Sequence, residues 1–295
     1  MNIEITTNTY LIGVLSAITA GIIFNIGIVI QKIAVSKIST SAKLLNQLIR
    51  KPLWLIGFSF QFIIGTPLNM YAQSNIGPAI IPGLMSIGLI VLTIGAVRYA
   101  GEAFNFSDFA GILLVIFAVT VFGLSKLSIN MEEINLRDTV LLIRLAVFTI
   151  IIVGFSVLCH IFQKSNTKMK GILRTINAGL FLSLSNLWLG IFMVFFSKWS
   201  NGNFLLSDLI LAGISCAIVF AGSMLGIAET QRAFQFGEAS KLIPIQFVPV
   251  QILPIIAYFL VFNLKPATPY SILLAISGIG LVLIGAALLA RRQYA

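Results

Sequence analysis

Charged residues are spaced so widely along the chain that eight uninterrupted charge-free runs result, over residues 5–31, 52–97, 109–125, 145–163, 175–197, 209–228, 242–264 and 266–290. Each reaches or approaches the ~20 residues with which a helix spans about 30 Å of hydrocarbon. The run over 52–97 has room for two helices and is broken by Gln73-Ser74-Asn75-Ile76-Gly77-Pro78 and then Pro82, so eight runs predict nine helices. Helices are the expected spanning form, because backbone in lipid must satisfy its own hydrogen bonds and the segments lack the ten-residue alternation of a membrane barrel. The fold class read from this pattern is all-α, a polytopic membrane protein of about nine transmembrane helices. The first run is too long for a signal peptide and has no basic residue before it, which argues against cleavage.

Composition agrees: 58% of residues are hydrophobic, 9% are charged, and the mean hydropathy is +1.03, against roughly 25% charged residues in a soluble domain. The net charge of +10 would suggest nucleic acid in a soluble protein, so its placement matters. With the N-terminus outside, the cytoplasmic loops and adjoining helix ends hold Lys32, Lys37, Lys43, Arg50, Lys51, Arg98, Lys164, Lys168, Lys170, Arg174, Arg232, Lys241, Arg291 and Arg292. The external side holds Lys126, Arg137, Arg144, Lys198 and Lys265. Fourteen against five is a positive-inside bias, and it supports an odd helix count with the C-terminus cytoplasmic. The expected location is the cell membrane and the expected partners are the bilayer and a small solute or cation, with no nucleic acid. Cys159 and Cys216 lie in separate apolar segments and read as buried free thiols.

The longest polar stretch, Lys126 to Asp138, divides the chain into a first helical repeat over 1–128, a linker over 129–138 and a second helical repeat over 139–295, a four-plus-five arrangement. Met70-Tyr71-Ala72 leads to Gly77-Pro78-Ala79 and Pro82, while Gln231-Arg232-Ala233 leads to Gly237-Glu238-Ala239 and Pro244. The charge placement gives these matched segments opposite directions, which predicts an inverted repeat with a site near the midplane. The competing reading is two apolar stretches that share Gly and Pro by chance.

These segments carry a family resemblance. A first helix ending Gly27-Ile28-Val29-Ile30-Gln31-Lys32 is followed by a basic loop, by Trp54 opening a helix that ends Asn69-Met70-Tyr71-Ala72, by the Gly-Pro-Ala turn with Pro82, and by Glu102 after the third helix. Ala233-Phe234 and Pro244 continue the likeness in the second half. The chain resembles the drug/metabolite transporter superfamily, and its nine-helix branch similar to the NIPA-like magnesium transporters. It departs where that branch continues Gln-Lys-Lys-Gly, since Gln31-Lys32 is followed by Ile33-Ala34. The resemblance implies transport of a small substrate, with Mg²⁺ a candidate.

Ionisable groups within a membrane are expensive, so each is a functional candidate. Glu229 follows a long charge-free run and is the first candidate for a cation or proton, with pairing to Arg232 on the same helix face as the structural alternative. Glu238, in the turn before the eighth helix, is the second candidate metal ligand, unless it is merely solvated. Gln246 and Gln251 share that helix with Pro244, Pro249 and Pro254, and Pro67 and Pro82 offer similar helix breaks in the first half. Asn25, Gln31, Gln61, Asn69 and Asn186 complete the candidate pathway, though amides within helices also glue them together. Asn177, Ser183 and Ser185 share that bland role, His160 and Arg144 read as interfacial, and Glu102 and Asp108 as solvated loop acids. A lone histidine, no paired Cys or His at metal-ligand spacing and no phosphate loop predict no catalytic residue and no cofactor, so Mg²⁺ enters only as a possible substrate. The expectation is a secondary transporter working by alternating access, for a divalent cation or, alternatively, a small organic solute. From another class, a membrane scaffold or assembly subunit is the competitor.

Overall fold

The computed structural model describes residues 7–38, 44–76, 81–125, 127, 134–136, 138–165, 169–200, 206–266 and 268–292. Among them every element is helical. In chain order these are α1 (Thr7–Ser36), α2 (Leu44–Leu48), α3 (Pro52–Ser59), α4 (Thr66–Ile76), α5 (Ile81–Ser86), α6 (Gly88–Ala100), α7 (Phe106–Leu124), α8 (Thr139–Ser165), α9 (Lys170–Ser200), α10 (Leu206–Ala233), α11 (Ala239–Ile256) and α12 (Ser271–Arg292). Some join end to end, so that among the described residues nine helices are long and apolar enough to cross a membrane. Their outer faces are apolar as well: Ile143, Ile150, Phe155 and Phe162 on α8 are all exposed, as lipid contact requires and water would oppose. The chain is an integral membrane protein by this composition and length.

Two of the spans contain π-helical segments. Phe60–Gly65 joins α3 to α4, and Ala257–Val261 extends α11. The first sits just before Pro67, which lacks an N–H to give to the preceding turn. At the segment's end Thr66 donates both its backbone N–H, in the i to i−5 pattern of a π-turn, and its hydroxyl, the latter at 3.1 Å, to the carbonyl of Gln61. The helix breaks expected from proline take this form here, as an extra residue in the turn, while α11 runs continuously through Pro244, Pro249 and Pro254. Pro82 lies in α5, with its side chain outside the described residues, as are Gly77, Pro78 and Ala79 of the matched turn. Much of the linker over 129–138 is also outside them.

The chain forms two compact units. The first comprises Met1–Leu127, Gln231–Val248 and Pro266–Ala295, and the second Ser128–Thr230 and Pro249–Lys265. In the first, α1 is central, packing on α3, α4, α5 and α6, and α7 packs along α12. The α1–α3 crossing is set by two glycines. A Cβ on Gly27 would lie 2.6 Å from the Gly57 carbonyl oxygen, and one on Gly57 would lie 2.6 Å from the Gly27 oxygen. Without side chains there, the backbones approach closely enough for packing to hold two apolar helices together in lipid. In the second unit, Leu145, Phe148, Ile152, Leu184, Trp188, Ile191 and Phe195 form the core between α8 and α9, joined by a hydrogen bond from Trp188 Nε1 to Thr149 Oγ1 at 3.1 Å. Cys159 is half-buried and Cys216 exposed, so neither is the fully buried thiol expected.

The crossing gives a direct check. Gly27→Ala should lower the unfolding temperature of the detergent-solubilised protein, at about 1–3 kcal/mol for an overpacked site. Gly154→Ala, where an added Cβ meets nothing within 4 Å, should leave it unchanged or slightly raised.

Candidate functional site

The α1–α3 crossing fixes more than packing. Gly27 and Gly57 each precede a glutamine by four residues, Gln31 and Gln61, and one helical turn carries both amides onto the contact face. Gln31 Nε2 donates to Gln61 Oε1 at 2.9 Å, and Gln61 Nε2 donates to the Phe24 carbonyl at 3.3 Å. Gln231, at the end of α10, donates from Nε2 to Gln31 Oε1. Gln31 and Gln231 are 2% and 1% exposed, so this is an internal chain of three amides. A bond of this kind between membrane helices is worth about 0.6 kcal/mol on average. Three of them contribute about 2 kcal/mol, and among the described residues the chain still ends in an unmatched buried oxygen, Gln231 Oε1, so glue alone is a weak reason for placing them there.

Next along α1, Lys32 enters a second polar system. Its ammonium donates to the carbonyls of Phe234 at 2.8 Å and Gly237 at 2.6 Å, lies 5.7 Å from the Phe234 ring centre, and is 3.8 Å from Glu102. Those carbonyls lie just beyond the C-terminus of α10, where a cation is favoured. Glu102 does the converse at the start of α11, accepting from the N–H of Ala239 at 2.6 Å, the N–H of Ser240 at 2.9 Å and the Ser240 hydroxyl at 2.6 Å. One Lys–Glu pair thereby neutralises both helix ends of the α10–α11 turn. Glu238 returns the contact, accepting from the Ala103 N–H at 3.3 Å while pairing with Lys241 at 2.6 Å. The segments Gly101-Glu102-Ala103 and Gly237-Glu238-Ala239 thus cap each other reciprocally, each glutamate taking the N–H of the other's alanine.

In the second unit, Glu229 is buried and paired with Arg174 of α9 at 2.9 Å. The fold thus gives Glu229 a cation on another helix, beside Arg232 of its own helix, which was the structural expectation. Nearby positions of α9 and α10 meet through Ser185, whose hydroxyl is 3.0 Å from the Val219 carbonyl and 2.7 Å from the Ser223 hydroxyl.

The sequence candidates accordingly separate. The first unit holds Asn25, Gln31, Gln61, Asn69, Gln246, Glu238, Pro67, Pro82 and Pro244, and the second holds Glu229, Asn186, Gln251 and Pro249. Gln31 and Gln61 are brought into contact. Asn25 is buried with its Nδ2 donating to Gly21 at 2.8 Å, Gln246 is buried, and Asn69 and Gln251 are half-buried. Asn186 is exposed on α9 and Pro67 on α4, so neither faces an interior site. Glu102 and Asp108, expected to be solvated, are buried, the latter capping α7 by accepting the Asn105 N–H at 3.0 Å. Lys32 is buried where a membrane-surface cation was expected. Gln231, Lys32, Glu102, Lys241 and Arg174 were missed as partners. The repeated Gly-Glu-Ala tripeptide and the paired Gly-x-x-x-Gln spacing were the available signals.

Glu102, Glu229 and Glu238 each face a lysine or arginine, and among the described residues no group of three or more acidic, histidine or cysteine side chains could hold a metal. Comparison of the chain with protein-family models, with curated proteins and with solved structures returned no match.

Removing one member of a buried pair strands the other, at about 3–5 kcal/mol. Glu229→Gln should therefore lower the unfolding temperature clearly, and adding Arg174→Gln should restore part of the loss. Additive losses in thermal unfolding would show that the two side chains are not coupled.

Proposed function

We propose that this protein is a secondary transporter of a small solute, working by alternating access. The observation that carries the reading is the amide chain Gln61–Gln31–Gln231, with Gln31 and Gln231 buried and Gln61 half-buried, in a chain whose helices are otherwise apolar enough for lipid. Polar groups in a bilayer are retained where a substrate or ion uses them. Their modest contribution to stability leaves solute recognition as the better reason for their place. The resemblance to the drug/metabolite transporters, and to their NIPA-like branch, points the same way.

The inverted repeat belongs to this proposal. It is supported by the opposite directions that the charge pattern gives the matched segments. It is supported too by the reciprocal capping of Gly101-Glu102-Ala103 and Gly237-Glu238-Ala239, a two-fold exchange between segments far apart in the chain. The N-terminus is outside and the C-terminus cytoplasmic in this reading. An organic solute of low charge takes precedence over Mg²⁺, which binds through oxygen ligands and usually one or two carboxylates. The three glutamates that such a site would draw on are already matched by cations.

Uptake into proteoliposomes decides between these readings. A panel of amines, amino acids, nucleosides, Mg²⁺ and other divalent cations should show saturable flux for an organic member. Flux of Mg²⁺ alone would restore the divalent reading, and flux of nothing would favour a membrane scaffold or assembly subunit.

A further inference from the structure

The amide chain has a direction, and the fold sets it. The Phe24 carbonyl can only accept, so it takes the N–H end of Gln61. Gln61 then presents its oxygen to Gln31, Gln31 presents its oxygen to Gln231, and Gln231 is left with Oε1 as the free end. That oxygen is buried and has no donor among the described residues. Three side-chain dipoles therefore point the same way, each donation polarising the next, and their negative ends converge on one buried acceptor. Leaving such an acceptor unmatched is expensive in an apolar interior.

We propose that Gln231 Oε1 is the recognition point for a primary ammonium group of the transported solute, with Gln31 and Gln61 polarising and orienting it. A single oxygen cannot replace the six-oxygen shell of a divalent ion. An ammonium needs only one acceptor for each N–H it turns inward, and a line of aligned dipoles ending in oxygen favours a positive charge there. The neighbouring ammonium of Lys32 does not compete, since it is committed to Phe234, Gly237 and Glu102. This assignment rests on the solute-transport reading, because Gln231 is 1% exposed and a solute reaches it only when the bundle opens.

The test is the thermal unfolding of the full-length protein in detergent with n-butylammonium, N,N,N-trimethylbutylammonium or 1-butanol. The primary ammonium should raise the unfolding temperature by about 2 °C or more near saturation. The trimethylated cation, with charge but no N–H, and the alcohol, with O–H but no charge, should give clearly less. Gln231→Met should abolish the shift and Gln61→Leu should reduce it, since Gln61 only orients the chain. Equal shifts from all three probes, no shift from any, or an undiminished shift in Gln231→Met would overturn the assignment. Should Gln231→Met fail to fold, the contrast between the primary and trimethylated cations in the unsubstituted protein still decides. Paired with uptake, the outcomes separate: a Gln231-dependent shift without flux of any solute removes transport and keeps the site, whereas flux without that shift removes the site and keeps transport.

Discussion

Hydrocarbon offers no hydrogen-bond partner, so every polar group placed within it must be matched by the protein itself. The described helices meet this constraint on their outer faces by being apolar and in their interior largely by pairing, with a few buried side-chain atoms left unmatched. Lys32 gives its protons to Phe234 and Gly237, Glu102 takes those of Ala239 and Ser240, and Arg174 matches Glu229. The charges are spent on helix ends and on one another. Several buried amide oxygens stay open among the described residues, Asn25 Oδ1, Asn177 Oδ1 and Gln231 Oε1 among them, and Gln231 Oε1 is the one that ends a chain of three amides.

Glycine placement makes the pairing possible. Side chains as long as glutamine could not meet across α1 and α3 without pushing the helices apart, unless the residue one turn away had no side chain. A Cβ on Gly57 would lie 2.9 Å from Gln31 Cγ, and one on Gly27 would lie 2.7 Å from Gln61 Cγ. Close approach and polar contact are therefore one feature of the crossing. α1 also carries Lys32, and α3 runs on into the π-helical segment at Phe60–Gly65, so in the first unit backbone irregularity, small residues and buried polarity meet at α1.

The number of membrane-spanning helices was legible because it depends on a one-dimensional property, the spacing of charges. The turn expected at Gly77-Pro78-Ala79 falls outside the described residues, between α4, described to Ile76, and α5, described from Ile81. The polar partners were not legible in the same way. Glu102 follows a helix and precedes another, as a solvated loop acid would, and only the three-dimensional return of Ala239 and Ser240 buries it. Glu229 has a basic neighbour on its own helix, and nothing in the sequence pointed to the cation that the fold brings from α9, Arg174. Gln231 stands between Glu229 and Arg232 in sequence and was passed over beside two charges, although its amide is the one that closes the chain to Gln31.

The central claim is that Gln31, Gln61 and Gln231 are present for recognition and not for stability. Methionine matches glutamine closely in size, and replacing a buried polar network by apolar residues of similar volume is often neutral or stabilising. The most direct measurement is therefore paired thermal unfolding and solute uptake of the triple variant Gln31→Met, Gln61→Met, Gln231→Met. The account predicts an unfolding temperature equal to or above that of the parent together with loss of uptake. A folded triple variant that transports as the parent does, or one whose stability collapses, would contradict it.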